Sequence, residues 1–174
     1  GLGIRQFYRI ANSQTNANVI TGGAQEREMR GGTENVIGIV GLTKALEIAY
    51  REMDAKKAHL ENIKGLMIQL LRESIPDVSF NGDAEGNSLY TVLSVSLPPN
   101  EASSMILFNL DLAGISASGG SACSSGATGG SHVINCLYPG TNRTTVRFSF
   151  GKQNTEDDIR FTVNQLANWY GQKS

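Results

Sequence analysis

The chain has 174 residues, enough for one domain with a sizeable core, and its charges nearly balance, with 15 Lys and Arg against 16 Asp and Glu. This balance gives no indication of a nucleic-acid partner or an anionic membrane surface, and no apolar run is long enough to span a membrane. Two cysteines are too few for a disulfide framework and show no metal-site spacing with the two histidines. The composition predicts a reduced, cytoplasmic protein without a metal site.

The first ten residues are typical of a loop that enters a short strand, and this abrupt beginning indicates a piece of a longer chain. Residues 12–18 are polar and aperiodic, which predicts a loop. The charged, glycine-flanked segment 22–35 then precedes a helix. Backbone amides at a helix start, the Thr33 hydroxyl and nearby arginines would suit an anion, although the same charges could equally be solvated.

Apolar residues at spacings of three and four predict one long bent helix, or two helices in series, with one buried face. Pro76 forbids its continuation. His59, at the polar centre, is expected to be a solvated helix residue rather than a base. The predicted buried stripe comprises Val36, Ile39, Val40, Thr43, Leu46, Tyr50, Met53, Leu60, Ile63, Met67, Leu70 and Leu71.

Alternating apolar residues predict strands at 78–80, 91–97 and 144–150, with a brief further strand at 115–117. Between them, Asn100 is a suitable cap for a helix from Glu101 to Ala113, and Ser131 for a short helix through Leu137. A last helix begins at Asn154-Thr155, and three acidic residues in its first turn suit its dipole. The predicted inward residues of these helices are Ala102, Ile106, Leu107 and Leu110 in the first, and Ile159, Val163, Leu166 and Tyr170 in the last.

Arg147 is placed on the face of its strand opposite to Val146, Phe148 and Phe150. An arginine flanked by aromatic residues is costly to bury without an anion, so a carboxylate or phosphate partner is expected. The alternatives are that Arg147 forms a structural ion pair, or that its side chain simply reaches solvent.

The segment GGSACSSGATGGS, residues 119–131, is rich in glycine and serine and carries one strong nucleophile, Cys123. Glycines leave a backbone free to move, and long irregular loops are often functional. We therefore expect Cys123 on a mobile, poorly ordered arm, with a buried, inert cysteine in a turn as the alternative. Cys136 falls among apolar neighbours and is expected in the core. Together the elements predict an α+β domain, with helices packed on a small sheet.

Three segments, in order, resemble motifs of the cysteine desulfurases, the NifS/IscS-like branch of the class V aminotransferase family. Residues 22–36, GGAQEREMRGGTENV, resemble GGGQERGLRSGTxN, and residues 119–125, GGSACSS, resemble SSGSACSS. Residues 145–152, TVRFSFGK, resemble SIRFSFGR, and TEDDI after them resembles TTEEEID. The long loop after Cys123 favours this branch over the SufS-like one.

The resemblance implies the C-terminal small domain of a type I transferase that depends on pyridoxal phosphate (PLP). Residues 1–35 would be a remnant of the large cofactor domain with a linker. Residues 36–174 would form the small domain, which carries the mobile cysteine loop 119–130.

The resemblance also implies a reaction, in which the parent enzyme converts L-cysteine to L-alanine and leaves a persulfide on Cys123. Arg147 would bind the substrate α-carboxylate, and Thr33 would donate to the PLP phosphate of the other subunit of a homodimer. The sulfur would pass to an iron–sulfur scaffold or another acceptor protein. Arg30 and Asn35 lie in the first motif but receive no role.

One departure from the family pattern concerns the lysine that binds PLP. It belongs to a segment like SxHKxxGPKGIG, of which only the residues that follow it resemble the start of this chain. Lys44, Lys56 and Lys152 lie in no matching context, so the chain alone is expected to be inactive. Two alternatives remain: a stand-alone persulfide carrier, and a selenocysteine lyase or aminotransferase relative, although a plain aminotransferase has no use for Cys123 in its motif.

Overall fold

The structure is a computed structural model that describes residues 22–28, 31–119 and 131–170. These residues belong to two compact units, divided between Arg51 and Glu52. Short 3-10 turns occupy Gln25–Glu28 and Glu101–Met105. In chain order the elements are α1 (Val36–Ser74), β1 (Ser79–Phe80), β2 (Val92–Leu97), α2 (Ile106–Leu112), α3 (His132–Leu137), β3 (Thr144–Ser149) and α4 (Glu156–Tyr170).

The long helix α1 begins at an asparagine cap. The side-chain oxygen of Asn35 accepts a hydrogen bond from the Gly38 amide at 2.9 Å, which satisfies one of the free N–H groups of the first turn. The helix ends at Ser74, two residues before Pro76, as predicted. It is a single helix rather than two in series.

The predicted burial of the first half of the α1 stripe is wrong. Leu46 is 49 % exposed and Tyr50 is 72 % exposed, and no described segment covers this face. Helical periodicity determines which side chains share a face, but it does not supply the element that covers them. The other exposed members of this half are Val36, Ile39, Val40, Thr43 and Met53.

The C-terminal unit is built on a three-stranded antiparallel sheet in the order β1-β2-β3. Alternate residues of β2 and β3 face one core, as predicted from their period of two. The second half of the α1 stripe and the stripe of α4 pack against that sheet. The core includes Leu60, Ile63, Met67, Leu71, Leu93, Val95, Leu97, Ile106, Leu110, Val146, Phe148, Phe150, Ile159, Val163, Leu166 and Tyr170.

Two of the three predicted helix caps of this unit are confirmed, and the third, Ser131, is wrong. Asn100 caps the segment after β2, because its side-chain oxygen accepts from the Ala102 amide at 2.8 Å. Before α4, the Thr155 hydroxyl accepts from the Asp158 amide, and the Asp158 carboxylate accepts from the Thr155 amide. These reciprocal bonds satisfy free amides at the helix start. Ser131 precedes α3 but makes no side-chain capping bond.

Four predictions are corrected by tertiary packing. Leu107 is 39 % exposed, because the chain forms a 3-10 turn before α2 and rotates the predicted stripe. Residues 115–117 form no strand, and only Ser118 makes an isolated bridge to β3. Cys136 is exposed on α3 rather than in the core. His59 is half-buried and donates from Nε2 to the Asn154 carbonyl at 2.9 Å, so it links α1 to the start of α4.

Within the described residues, no helix combines the length and the apolar character that crossing a bilayer requires.

Candidate functional site

Arg147 lies at the centre of a row that crosses the sheet. It faces Ser94 of β2 on one side and Ser118 on the other. Its amide donates to the Ser118 carbonyl at 2.6 Å, and the Ser118 amide donates to the Arg147 carbonyl at 3.1 Å. This pair of bonds fixes the backbone of Arg147 beside the segment that leads to Cys123.

The guanidinium of Arg147 is an available cation. The side chain is exposed on the polar face of β3, and within the described ranges it makes no hydrogen bond or ion pair. Of the alternatives weighed from the sequence, the exposure of Arg147 matches an arginine that reaches solvent, and the described residues provide no structural ion pair. A planar, unpaired guanidinium on a rigid strand can bind a carboxylate through two parallel hydrogen bonds.

The polar groups around Arg147 are held by hydrogen bonds. The amide group of Asn81 donates to the Ser94 hydroxyl at 3.0 Å and to the Thr145 hydroxyl at 3.3 Å. Ser94 is the cross-strand neighbour of Arg147, and Thr145 is its neighbour on the same face of β3. Asn81 thus ties β2 and β3 together next to the guanidinium.

The chain continues along β3 after Ser118. A Cβ placed on Gly119 would lie 3.4 Å from the Thr145 carbonyl oxygen and 2.7 Å from Cδ1 of Leu107. A side chain at residue 119 would thus require Leu107 to move. Cys123 and the rest of the predicted loop, 120–130, lie outside the described residues.

Thr33 belongs to the N-terminal unit and lies just before α1. It is exposed, and within the described ranges its hydroxyl makes no hydrogen bond. The preceding amide, that of Gly32, donates to the Gln25 side chain at 3.2 Å. Asn35, which received no role from its motif, caps α1; an asparagine just before a periodic apolar run is the signal for this role. Arg30 lies outside the described residues.

The described residues fit the anionic groups of PLP chemistry but offer no matched lysine. Thr33 and Arg147 provide an exposed hydroxyl and an exposed cation suited to a phosphate and a carboxylate. Lys44 pairs with Glu47 at 2.9 Å, and Lys152 pairs with Glu52 at 3.4 Å. Both groups are thus accessible in the described residues, whereas covalent attachment of PLP has no candidate residue in a matching motif.

Lys64 is a buried polar residue that the sequence did not single out. Its ammonium group donates to the Ser88 hydroxyl at 2.8 Å and to the Leu89 carbonyl at 3.2 Å. Burial lowers the pKa of Lys64, an effect that the nearby carboxylate of Asp83 partly offsets. Lys64 lines an open cleft of about 680 Å³ together with Gly65 and other residues of α1 and of segment 84–90.

The family follows from comparison of the sequence with known proteins. The family described as Aminotransferase class-V matches residues 11–161, which is most of the chain. The chain therefore belongs to the class-V aminotransferase family.

Individual relatives within that family are cysteine desulfurases. The chain is 38 % identical over 173 residues to the cysteine desulfurase IscS of Clostridium botulinum, strain Hall, covering 94 % of this chain and 42 % of that protein. It is 36 % identical over 152 residues to the putative cysteine desulfurase IscS 1 of Bacillus subtilis, strain 168, covering 86 % of this chain and 40 % of that protein. The chain thus spans about two fifths of the length of these relatives.

Two solved structures share the fold. A NifS-like protein from Rickettsia africae superimposes with a TM-score of 0.68 at 24 % identity, covering 91 % of this chain and 41 % of that one. A second NifS-like protein gives a TM-score of 0.67 at 29 % identity, covering 86 % of this chain and 37 % of that one. The predicted fold class, part of an α+β enzyme of the NifS/IscS type, is confirmed.

Proposed function

We propose that this chain is the sulfur-receiving domain of a PLP-dependent cysteine desulfurase that converts L-cysteine to L-alanine. The main support is the bond pair between Ser118 and Arg147, which places the start of the cysteine-bearing segment beside an unpaired guanidinium. Cys123 is five residues beyond Ser118, so a fully extended chain carries it at most about 18 Å away. This tether keeps the thiol within reach of a substrate whose carboxylate is bound by Arg147.

Each residue has a distinct role in this proposal. Arg147 holds the α-carboxylate of L-cysteine, and Thr33 donates to the cofactor phosphate in a site shared by two subunits of a homodimer. The thiolate of Cys123 attacks the substrate sulfur, forming a sulfur–sulfur bond as the carbon–sulfur bond breaks. PLP, when bound, supplies the electron sink that makes this cleavage possible.

The outer sulfur of the Cys123 persulfide is then transferred to a protein acceptor such as an iron–sulfur scaffold. The outer sulfur moves to an acceptor thiolate, and Cys123 leaves as a thiolate, so that the exchange needs no external oxidant. We place this reaction in the cytoplasm. The isolated chain does not generate the persulfide itself, because it has no lysine in the cofactor motif.

The first test supplies the 174-residue chain with PLP and L-cysteine. We expect neither alanine nor the absorbance of a bound cofactor. Robust turnover would contradict the view that residues outside this chain build the cofactor site.

The second test supplies the same chain with inorganic polysulfide and locates the added sulfur by mass spectrometry of alkylated peptides. We expect persulfide on Cys123 in the wild type and in Cys136→Ala, but not in Cys123→Ala. Cys136 is a matched control because it is an exposed thiol only 13 residues away in sequence. Modification of Cys136 with none on Cys123 would overturn the proposed role of Cys123.

The reading frame upstream of Gly1 separates this proposal from the second candidate, a stand-alone persulfide carrier. A preceding segment that encodes the lysine motif would exclude it, whereas a start codon at this point would favour it over the desulfurase.

A further inference from the structure

Arg143 makes the densest set of side-chain hydrogen bonds around the sheet edge. Its Nε donates to the Ser96 hydroxyl at 2.9 Å, and its Nη2 donates to the Ser96 carbonyl at 2.8 Å. On the other side, Nη1 donates to the Asp77 carboxylate at 2.8 Å, and Nη2 also donates to the Asp77 carbonyl. One guanidinium thus joins the start of β3 to β2 and to the turn after α1.

The acceptors of Arg143 are well fixed. Ser96 is buried and is paired in the sheet with Ser79 and Thr145. Asp77 has a φ of 59°, a left-handed conformation that only a few residue types adopt readily. A carbonyl in such a turn has a defined direction, so Arg143 binds to positions that the fold has already set.

Arg143 lies at the end of the segment that begins at Ser118, so its hydrogen bonds can hold that end of the segment in place. The chain lies beside β3 at Ser118 and Gly119, and Arg143 leads directly into β3, so both ends of the intervening segment lie at one strand. Arg147 and Arg143, which immediately precedes β3, are four residues apart, or about 13 Å along an extended chain. The departing end is held by backbone hydrogen bonds, and the returning end is held by the Arg143 side chain.

The helix α3 lies within this segment, next to Arg143. A cavity of about 290 Å³ lies between Ile134 of α3, with Tyr138 just after that helix, and residues of the sheet, and Arg143 forms part of its wall. All the residues of α3 except Ile134 are exposed, so the helix has little apolar packing of its own. Its position therefore depends on how the following turn is attached.

We propose that Arg143 is a positioning residue that anchors residues 131–142 to β2 and to the turn after α1, and so limits where α3 lies relative to Arg147. The importance of this position for sulfur transfer rests on the proposed function, whereas the anchoring itself does not. The Asp77 carboxylate is 80 % exposed, so its ion pair with Arg143 is screened by water. The anchor thus depends chiefly on the two carbonyls and the buried hydroxyl.

Hydrogen exchange measured by mass spectrometry on the 174-residue chain tests the anchoring. In Arg143→Gln we expect amides of residues 131–142 to exchange about tenfold faster, with less than about threefold change in β3. Arg143→Lys should show the same pattern in weaker form, because one ammonium group cannot span all four acceptors. Asp77→Asn should change exchange in 131–142 by less than about threefold, because the carbonyl acceptor remains.

Val163→Ala is the control for general destabilisation, because it opens a cavity in α4 far along the chain from the anchor. It should leave the ratio of exchange in 131–142 to that in β3 unchanged. If Arg143→Gln and Arg143→Lys reproduce only this uniform pattern, Arg143 merely stabilises the fold and the proposal is wrong. If Arg143→Gln does not fold, Arg143→Lys decides by the same criterion.

Polysulfide treatment of the same variants tests the proposed sulfur-carrier function separately from the proposed anchoring by Arg143. Sulfur transfer from polysulfide needs neither a bound substrate nor a protein acceptor, so we expect Arg143→Gln to accept persulfide on Cys123 as the wild type does. Cys123 unmodified in the wild type would remove the sulfur-carrier role while leaving the exchange result to decide the anchoring.

Discussion

Arg147 and Ser118 exchange both backbone hydrogen bonds, at 2.6 and 3.1 Å, although 29 positions separate them in the sequence. This pair attaches the segment that leads to Cys123 to the strand that carries the free guanidinium. Ser118→Pro removes the N–H of one bond and should lower the free energy of unfolding by about 1–3 kcal/mol. Urea denaturation followed by circular dichroism measures this.

Ser118→Ala is the matched control for that substitution. It removes the hydroxyl but keeps both backbone bonds, so the free energy of unfolding should change by less than about 0.5 kcal/mol. Equal losses in the two variants would show that the side chain of Ser118, rather than its backbone, holds the segment.

Arg147→Gln should leave stability almost unchanged, within about 0.5 kcal/mol, because the guanidinium is exposed and has no partner in the described part of the chain. Arg143→Gln, by contrast, should cost about 1–3 kcal/mol, since it leaves acceptors such as the buried Ser96 unpaired. Thermal and urea unfolding of both variants provide the comparison. A loss in Arg147→Gln as large as that in Arg143→Gln would reveal a structural partner for Arg147.

Local periodicity accounts for the parts of the fold that the sequence predicted correctly. The alternation of Leu93, Val95 and Leu97 places these side chains on one face of β2, and all three are buried. Asn100 and Thr155 were recognisable caps because their signals lie within a few residues of the helix start. In each case the information is contained in a short stretch of chain.

Burial by a distant element could not be predicted in the same way. Leu46 and Leu60 share the helical stripe of α1, yet Leu46 is half-exposed, whereas Leu60 is fully buried in the core that includes the sheet residues. Cys136 has apolar neighbours in sequence but lies on an exposed helix. Arg143 gave no signal, since its acceptors are 66 and 47 positions away.

In the candidate site, too, local motifs were recognisable from the sequence, whereas contacts between distant segments were not. The motifs singled out Thr33, Cys123 and Arg147 as candidates, and the structure shows Arg147 exposed on β3, as in the alternative of an arginine that reaches solvent. The bridge to Ser118 depends on sheet edges that meet only in the folded chain, so the sequence predicted a strand at 115–117 instead.

Lys64 should make stability depend on pH in the alkaline range. Burial lowers its pKa in the folded state, so the unfolded chain holds the proton more tightly between that pKa and the ordinary value of about 10.4. Stability therefore rises with pH through this interval, because the cost of burying the charge disappears. Lys64→Met should lack this rise, as urea denaturation at a series of pH values would show.

The control for Lys64 is Lys57→Met on the same helix. Lys57 is 54 % exposed and forms a long ion pair with Glu61, so Lys57→Met controls for the loss of one lysine charge from the helix without the loss of a buried group. A profile for Lys64→Met that matches the wild type would contradict the predicted effect of burial.

Tyr170 should make the free energy of unfolding fall as pH rises, at the upper end of the alkaline range. Burial raises its pKa, and the hydrogen bond of its hydroxyl to Ser103, at 3.1 Å, offsets part of this effect. The unfolded chain then loses its proton first, so the stability contribution is complete below about pH 10 and declines as pH rises through the folded-state pKa. Tyr170→Phe should remove this decline and cost about 0.5–1.5 kcal/mol at neutral pH through loss of the hydrogen bond. Urea denaturation of Tyr170→Phe against the wild type at pH 7 and above pH 10 measures both effects, and an unchanged alkaline decline would exclude Tyr170 as its source.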